Sequence, residues 1–363
     1  MFLVRRRFQR PINNPCSLQS ISLSCCSSII DTGNSPVLLP LREHDMQARR
    51  LSFLVLSLLI FYSSPLFAQA KKVRFSVSSI SIAEIPFKIA QVKGFYREEG
   101  LNVEVILIRG NVGFQALIGG SVDYTSAAGS TIAAAVRGIP VKLIFVVSAK
   151  PQFDLIAQPE IRSVQDLKGK LVGISSRGGS IDLLTQIILQ KNGLTPNKDA
   201  TSIVVGGQED TVLALRAGRI AAALLTPPRP LILQREGFNR IAYSGDYMAT
   251  YPTGGIGVTD EKIKSDPSGV FAFVRASLKG LQFARQNRSE ATKIIADYLG
   301  VKDAALNEQI FELYLNRLSA GGSADEAWMK GAIDFTQKSI GGDVKEVRPS
   351  QVFDFSFAQK AAQ

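Results

Sequence analysis

Leu171-Val172-Gly173-Ile174-Ser175-Ser176-Arg177-Gly178-Gly179-Ser180-Ile181 holds one structural unit in a short span. The apolar run reads as a buried strand, and the hydroxyl and glycine residues as a turn. An amphipathic stretch follows to Lys191 and is stopped by Asn192-Gly193. The same order recurs from Lys72 to Ser244, which is the punctuation of β-α-β units and predicts largely parallel sheets covered by helices. Strands are expected over 73–77, 103–108, 141–147, 171–174, 202–205, 222–225 and 240–244. Pro86 near the start of the first helix and Gly94 after its apolar run frame one crossover.

An internal echo extends the pattern. Ala116-Leu117-Ile118-Gly119-Gly120-Ser121-Val122-Asp123 and Ala214-Leu215-Arg216-Ala217-Gly218-Arg219-Ile220-Ala221 share an Ala-Leu start and a Gly-x-Val/Ile turn. Two sheets built alike would produce it, although helix-glycine-strand junctions can converge on the same letters. After Thr259 the chain turns helical, with helices expected from Asp266, Ser289, Asp303 and Ala324 and with Asp and Ser at capping positions. Residues 148–159 and 245–257 interrupt the rhythm. Together they read as a chain crossing twice between two sheets, which makes a two-segment hinge.

Export is expected from the other end. A stretch beginning at Met46 carries Arg49 and Arg50, runs apolar from Leu51 to Leu66 and closes with Ala68-Gln69-Ala70. Those are the parts of a cleavable signal, and the apolar core is shorter than the ~20 residues that span a bilayer. Residues 1–45 read as a leader or an upstream start, 46–70 as the signal peptide, with cleavage near Ala70 and a periplasmic product. Cys16, Cys25, Cys26 and His44 all precede the cut, so the remaining chain has neither thiol nor imidazole. That removes the residues behind most nucleophile-base pairs and zinc sites, and binding is expected rather than catalysis, with no metal and no cofactor.

Beyond residue 70 the chain carries 35 Lys or Arg against 28 Asp or Glu, spread without runs or aromatic interleaving. This excludes a nucleic-acid grip and leaves a mild field favouring small anions.

Gly94-Phe95-Tyr96-Arg97-Glu98-Glu99-Gly100-Leu101-Asn102-Val103, Asp166-Leu167-Lys168-Gly169-Lys170 and the Gly-x-Val-Asp turn resemble the solute-binding proteins of ABC importers, in the nitrate, sulfonate, taurine and thiamine-precursor branch. The likeness runs over about residues 72–340. It implies an α/β, two-lobed periplasmic-binding architecture of type II, each lobe a mostly parallel sheet flanked by helices, with a C-terminal helical covering. Lobe 1 would comprise 71–152 and 252–363, and lobe 2 would comprise 153–251. It further implies a monomer that carries a small solute to ABC permease membrane subunits. One departure is Ala221, where relatives carry an acid in the second turn. The chain also lacks a histidine to match the iron-linked pyrimidine synthases of this fold.

In open α/β sheets ligands sit beyond the carboxyl ends of strands, so each strand-to-helix junction is a candidate. The sharpest is Ser175-Ser176-Arg177-Gly178-Gly179-Ser180, whose backbone N–H groups and helix start suit an anion and whose Arg177 would add a bidentate contact. Ser126, Ala127, Gly129 and Ser130 form the counterpart in the first lobe, with Ser130 either donating to solute or capping the next helix. Ser79 and Ile80 make a third wall, and Gln208, Thr226 and Thr253 complete the set. Arg109 is expected to be exposed beside a capping Asn111, and Glu209 to serve a helix dipole.

The expected solute is a small organic anion of the sulfonate, nitrate or carboxylate class. A thiamine-precursor pyrimidine is the alternative in the same fold, and a membrane sensor the alternative partner. An exported enzyme is disfavoured by the lack of a nucleophile elbow, phosphate loop or metal cluster.

Overall fold

The computed structural model describes residues 70–108, 112–340 and 346–363. The leader and export signal expected over residues 1–69, and the Arg109-Gly110-Asn111 junction, lie outside the described residues.

Two five-stranded sheets carry the chain. The first contains β1 (Lys71–Val77), β2 (Leu101–Leu107), β3 (Tyr124–Thr125), β4 (Val141–Ser148) and β10 (Thr253–Thr259), in the order β2-β1-β3-β10-β4. The second contains β5 (Asp154–Ala157), β6 (Leu171–Ile174), β7 (Thr201–Val204), β8 (Ala222–Leu225) and β9 (Asn239–Tyr243), in the order β7-β6-β8-β5-β9.

Between strands of the first sheet run α1 (Ile85–Lys93), α2 (Phe95–Glu98), α3 (Val112–Ile118) and α4 (Ala128–Val136). The second sheet has α5 (Ser180–Lys191), α6 (Gln208–Arg216) and α7 (Arg229–Arg235). The tail is helical: α8 (Asp260–Ser265), α9 (Pro267–Gln286), α10 (Arg288–Leu299), α11 (Ala304–Leu315), α12 (Glu326–Ile340), α13 (Pro349–Val352) and α14 (Ser356–Ala361). Asp266 and Asp303 cap their helices, accepting from Gly269 N–H at 3.2 Å and Leu306 N–H at 2.6 Å.

All seven expected strands are present within two residues of their expected ends, and three more were not foreseen: β3, β5 and β10. Each sheet is mostly parallel with one reversed strand, β10 in the first and β5 in the second. The reversal follows from where the chain crosses. β4 and β9 both finish at the end of their sheet where the parallel strands finish, so the chain enters the other sheet from that end and can pair only antiparallel.

The two crossing segments are tied together. Gln152 N–H donates to Thr253 Oγ1 at 2.9 Å, Phe153 N–H to Ser244 Oγ at 3.0 Å, and Ser244 N–H to the Phe153 carbonyl at 2.9 Å.

The internal echo is structural. Ser121 N–H bonds Ala116 O at 2.8 Å, and Arg219 N–H bonds Ala214 O at 2.9 Å. Gly120 and Gly218 supply the left-handed turn at φ 69° and 67°. Asp123, the acid of the first turn, accepts from Arg74 N–H and pairs with Lys262 at 3.1 Å, at the end of the sheet where β1 begins. Ala221 keeps the backbone bond to Leu171 O without a carboxylate. The departure at Ala221 therefore alters the end of the sheet where the parallel strands begin, remote from the strand ends that could meet a solute.

Packing holds these elements in place. On one face of the first sheet Phe75 stands edge-on to Phe87 and Phe273, at centroid distances of 4.9 and 5.3 Å, which locks β1 to α1 and α9. Truncating so buried a ring costs about 3–5 kcal/mol. Separate cores line the second sheet, one built on Leu155, Val172, Leu184 and Ile188, the other on Ile156, Leu215 and Leu225.

Candidate functional site

The parallel strands of both sheets end toward one another, and between those ends lies a cavity of about 120 Å³. At ~10–15 Å³ per water-sized site, that is room for a solute of roughly ten non-hydrogen atoms. The end of β1 contributes Ser78, Ser79 and Ser81, and the end of β3 contributes Ser126, Ala127, Gly129 and Ser130. From the second sheet come Ser175, Ser176, Gly179 and Ser180 after β6, Gly207 and Gln208 after β7, and Thr226 after β8. Phe153, Pro252, Thr253 and Gly254 close it from the crossing segments.

Eleven of the fourteen expected residues line the cavity, and three do not: Ile80, Arg177 and Gly178. Arg177 corrects the central expectation of the anion cradle. Its guanidinium turns to β7, donating to the Ser202 carbonyl at 2.5 Å and Asn197 Oδ1 at 3.3 Å. The cradle already holds an anion belonging to the chain: Asp182, in the first turn of α5, accepts from Gly178 N–H at 2.8 Å and lies 3.9 Å from Arg177. A carboxylate there takes one loop N–H group and sits at the positive helix end that a bound anion would use. The start of α6 repeats the arrangement, with Gly207 N–H donating to Asp210 at 3.0 Å.

Ile80 is 38% exposed, and only its carbonyl is engaged, by Arg229 Nη2 at 2.7 Å. Arg229 starts α7 beside the second sheet and also pairs with Glu209, so it straps the β1 loop to the opposite half. Glu209, expected to serve a helix dipole, is thus an ion-pair partner.

Gln208 Oε1 accepts both the N–H and the hydroxyl of Thr226 at 3.0 Å, which leaves its Nε2 as the donor for the cavity. Gly129 lies in the first turn of α4 and Ser180 in the first turn of α5. A Cβ at 129 would fall 1.9 Å from Ser180 Oγ and 2.5 Å from the Tyr251 hydroxyl. Only glycine lets the two halves approach this closely. Of the aromatics near the junctions, Phe153 faces the cavity, whereas Tyr251 is fully buried against Phe335 and Tyr247 accepts from Asn192. Burial pushes the Tyr251 phenol up to about 12.

The residue that sequence reasoning missed is Glu84. It ends a short helical turn, Ile82–Glu84, that folds the chain back after β1, and it lines the cavity at 3% exposure. Its Oε1 accepts from Ser126 Oγ at 2.8 Å, and Ser126 in turn accepts from Ser78 N–H at 3.2 Å. Its Oε2 is buried without a hydrogen-bond partner. Burial pushes the carboxyl up to about 8, against the opposing pull of the Ser126 hydroxyl and Ser78 N–H. Among the described residues that line the cavity, Glu84 is the only one with an ionisable side chain. An acid just before Ile85-Pro86 in the sequence looks like part of a helix start, and nothing there indicates the turn back to Ser126.

Two sheets joined by two crossing segments, with facing strand ends and one reversed crossing strand in each, define the two-lobed type II periplasmic-binding architecture. The chain belongs to the NMT1/THI5-like family, whose pattern matches residues 82–291. A Brucella abortus protein classed as a binding protein is 25% identical over 298 residues, spanning 79% of this chain and 92% of its own. Two solved structures share the fold. The alkanesulfonate-binding protein SsuA from Xanthomonas axonopodis pv. citri, bound to MOPS, superposes with a TM-score of 0.62 at 17% identity, over 73% of this chain and 91% of its own. The periplasmic nitrate-binding protein NrtA from Synechocystis PCC 6803 superposes at 0.63 with 16% identity, over 81% of this chain and 89% of its own.

Proposed function

We propose that this protein is the periplasmic solute-binding component of an ABC importer, with residues 71–152 and 252–363 forming one lobe and 153–251 the other. A small polar solute enters between the lobes and is enclosed as they close. The closed form then delivers it to membrane permease subunits. The observation that carries this reading is the single cavity-lining set drawn from the strand ends of both sheets, hydroxyl-rich and walled by the two crossing segments. A ligand contacting both halves stabilises the closed form by its differential contacts, which is how such receptors signal occupancy.

Arg177, the expected side-chain contact for a sulfonate, nitrate or carboxylate, turns to β7, and the described cavity wall brings no cation in its place. Ser79, Ser176, Ser180 and Gln208 bring hydroxyl and amide groups to the wall, which suit polar groups of many kinds. The test is a thermal-shift and calorimetric screen of the purified protein against small sulfonates, carboxylates, nitrate, pyrimidines and amines. A solute that raises the melting point and binds with one-to-one stoichiometry is expected. Turnover of a solute, or no binding from any class, would reject the receptor reading.

A further inference from the structure

We propose that the solute carries an N–H-bearing cationic group, of the amine, amidine or guanidine kind, and that Glu84 is the residue that selects it. The inference rests on the receptor reading above and deepens it to a substrate class. A carboxyl group buried in a cavity wall normally has all its oxygens hydrogen-bonded, because an unpaired buried polar atom is costly. Here Ser126 holds Oε1 and Ser78 N–H also draws on the carboxyl, while Oε2 makes no hydrogen bond to the protein. Arg229 Nη2 is engaged by Glu209 and by the Ile80 carbonyl, its Nη1 is buried without a partner, and Arg177 is engaged by Ser202, Asn197 and Asp182. Neither Arg229 nor Arg177 lines the cavity.

The missing partner is thus one that arrives with the solute. A cation with N–H donors supplies both the charge and the hydrogen bond that would let Glu84 ionise inside the closed cleft. The Ser78–Ser126–Glu84 chain of hydrogen bonds holds the carboxyl for that contact. An anion placed there would find no cationic side chain in the described cavity wall.

The experiment uses the purified protein and its Glu84→Gln variant, which retains an acceptor for Ser126. The panel comprises acetamidine, guanidine, butylamine and 4-aminopyridine, tetramethylammonium as the cation without N–H, and nitrate, ethanesulfonate and benzoate as anions. Expected are stabilisation by N–H cations but not by tetramethylammonium, a loss of about 10- to 100-fold in affinity in Glu84→Gln, and release of close to one proton at pH 7 in the parent only. Binding of an anion with equal affinity to both proteins overturns the substrate class and leaves the receptor intact. Cation binding that Glu84→Gln does not weaken overturns the role of Glu84. No binding from any class removes the receptor reading, and this inference with it.

Discussion

Gly129→Ala places a methyl group where the two halves of the protein meet. The added Cβ would stand 1.9 Å from Ser180 Oγ, 2.5 Å from the Tyr251 hydroxyl and 3.1 Å from Ser180 Cβ. Turning the Ser180 hydroxyl removes only the first clash, because the Cβ contact and Tyr251 remain. The strain falls on the closed arrangement alone, since parted lobes would leave the methyl group in solvent. Overpacking of this kind costs about 1–3 kcal/mol, which converts to about a 5- to 150-fold loss of affinity for any solute that needs closure. Isothermal titration measures the loss, and small-angle scattering measures the compaction that accompanies binding. The melting point of the solute-free variant should stay within a few degrees of the parent. Gly129→Ala/Ser180→Gly should recover part of the affinity. Parental affinity in the single variant, or a large loss of solute-free stability, would refute the reasoning.

Three other outcomes follow from the same structure. Glu84 has an ordinary value of 4.5 and a folded value of about 8, so the folded protein retains a proton across that interval that the unfolded chain gives up. Stability of the solute-free protein should therefore be greatest below about pH 4.5 as far as this group is concerned, and fall by about 3–5 kcal/mol as pH rises to 8 and beyond. Urea titrations across pH check this, with Glu84→Gln expected to flatten the curve. Arg177→Ala should leave solute affinity unchanged and lower stability by about 1 kcal/mol through its lost bonds to Ser202 and Asn197, and a tenfold affinity loss in that variant would restore the anion cradle. Arg229→Ala cuts the strap to Ile80 and should speed solute release about tenfold in stopped-flow experiments; an unchanged release rate would mean the strap does not hold the closed form.

Much of the fold is written in local patterns. The run Leu171–Ile174, the stop at Asn192-Gly193 and the paired turns at Gly120 and Gly218 are decided by neighbours in sequence, and their elements stand where periodicity puts them. β5 and β10 were hidden because their strand character comes from crossing between sheets, a property of the whole topology. β3, two residues long, is too short to carry a period. The site divides in the same way. Strand-end serines and glycines were legible from the junction rule, whereas the direction of Arg177 was not, because Ser202 and Asn197 compete for it from another strand. Asp182 filling the cradle was in principle readable, as an acid in the first turn of a helix that begins after Gly178-Gly179. Glu84 was not, since its environment is assembled from Ser126, far along the chain.

The central claim is that solute is held between the carboxyl ends of the two sheets. A crystal structure of the protein with the best solute from the screen tests it most directly. The account predicts solute density enclosed by Ser79, Ser126, Ser180, Gln208 and Thr226, with a nitrogen within hydrogen-bond distance of Glu84 Oε2 and Gly129 packed against Ser180. Solute bound outside this cavity, or gripped by Arg177, would contradict it.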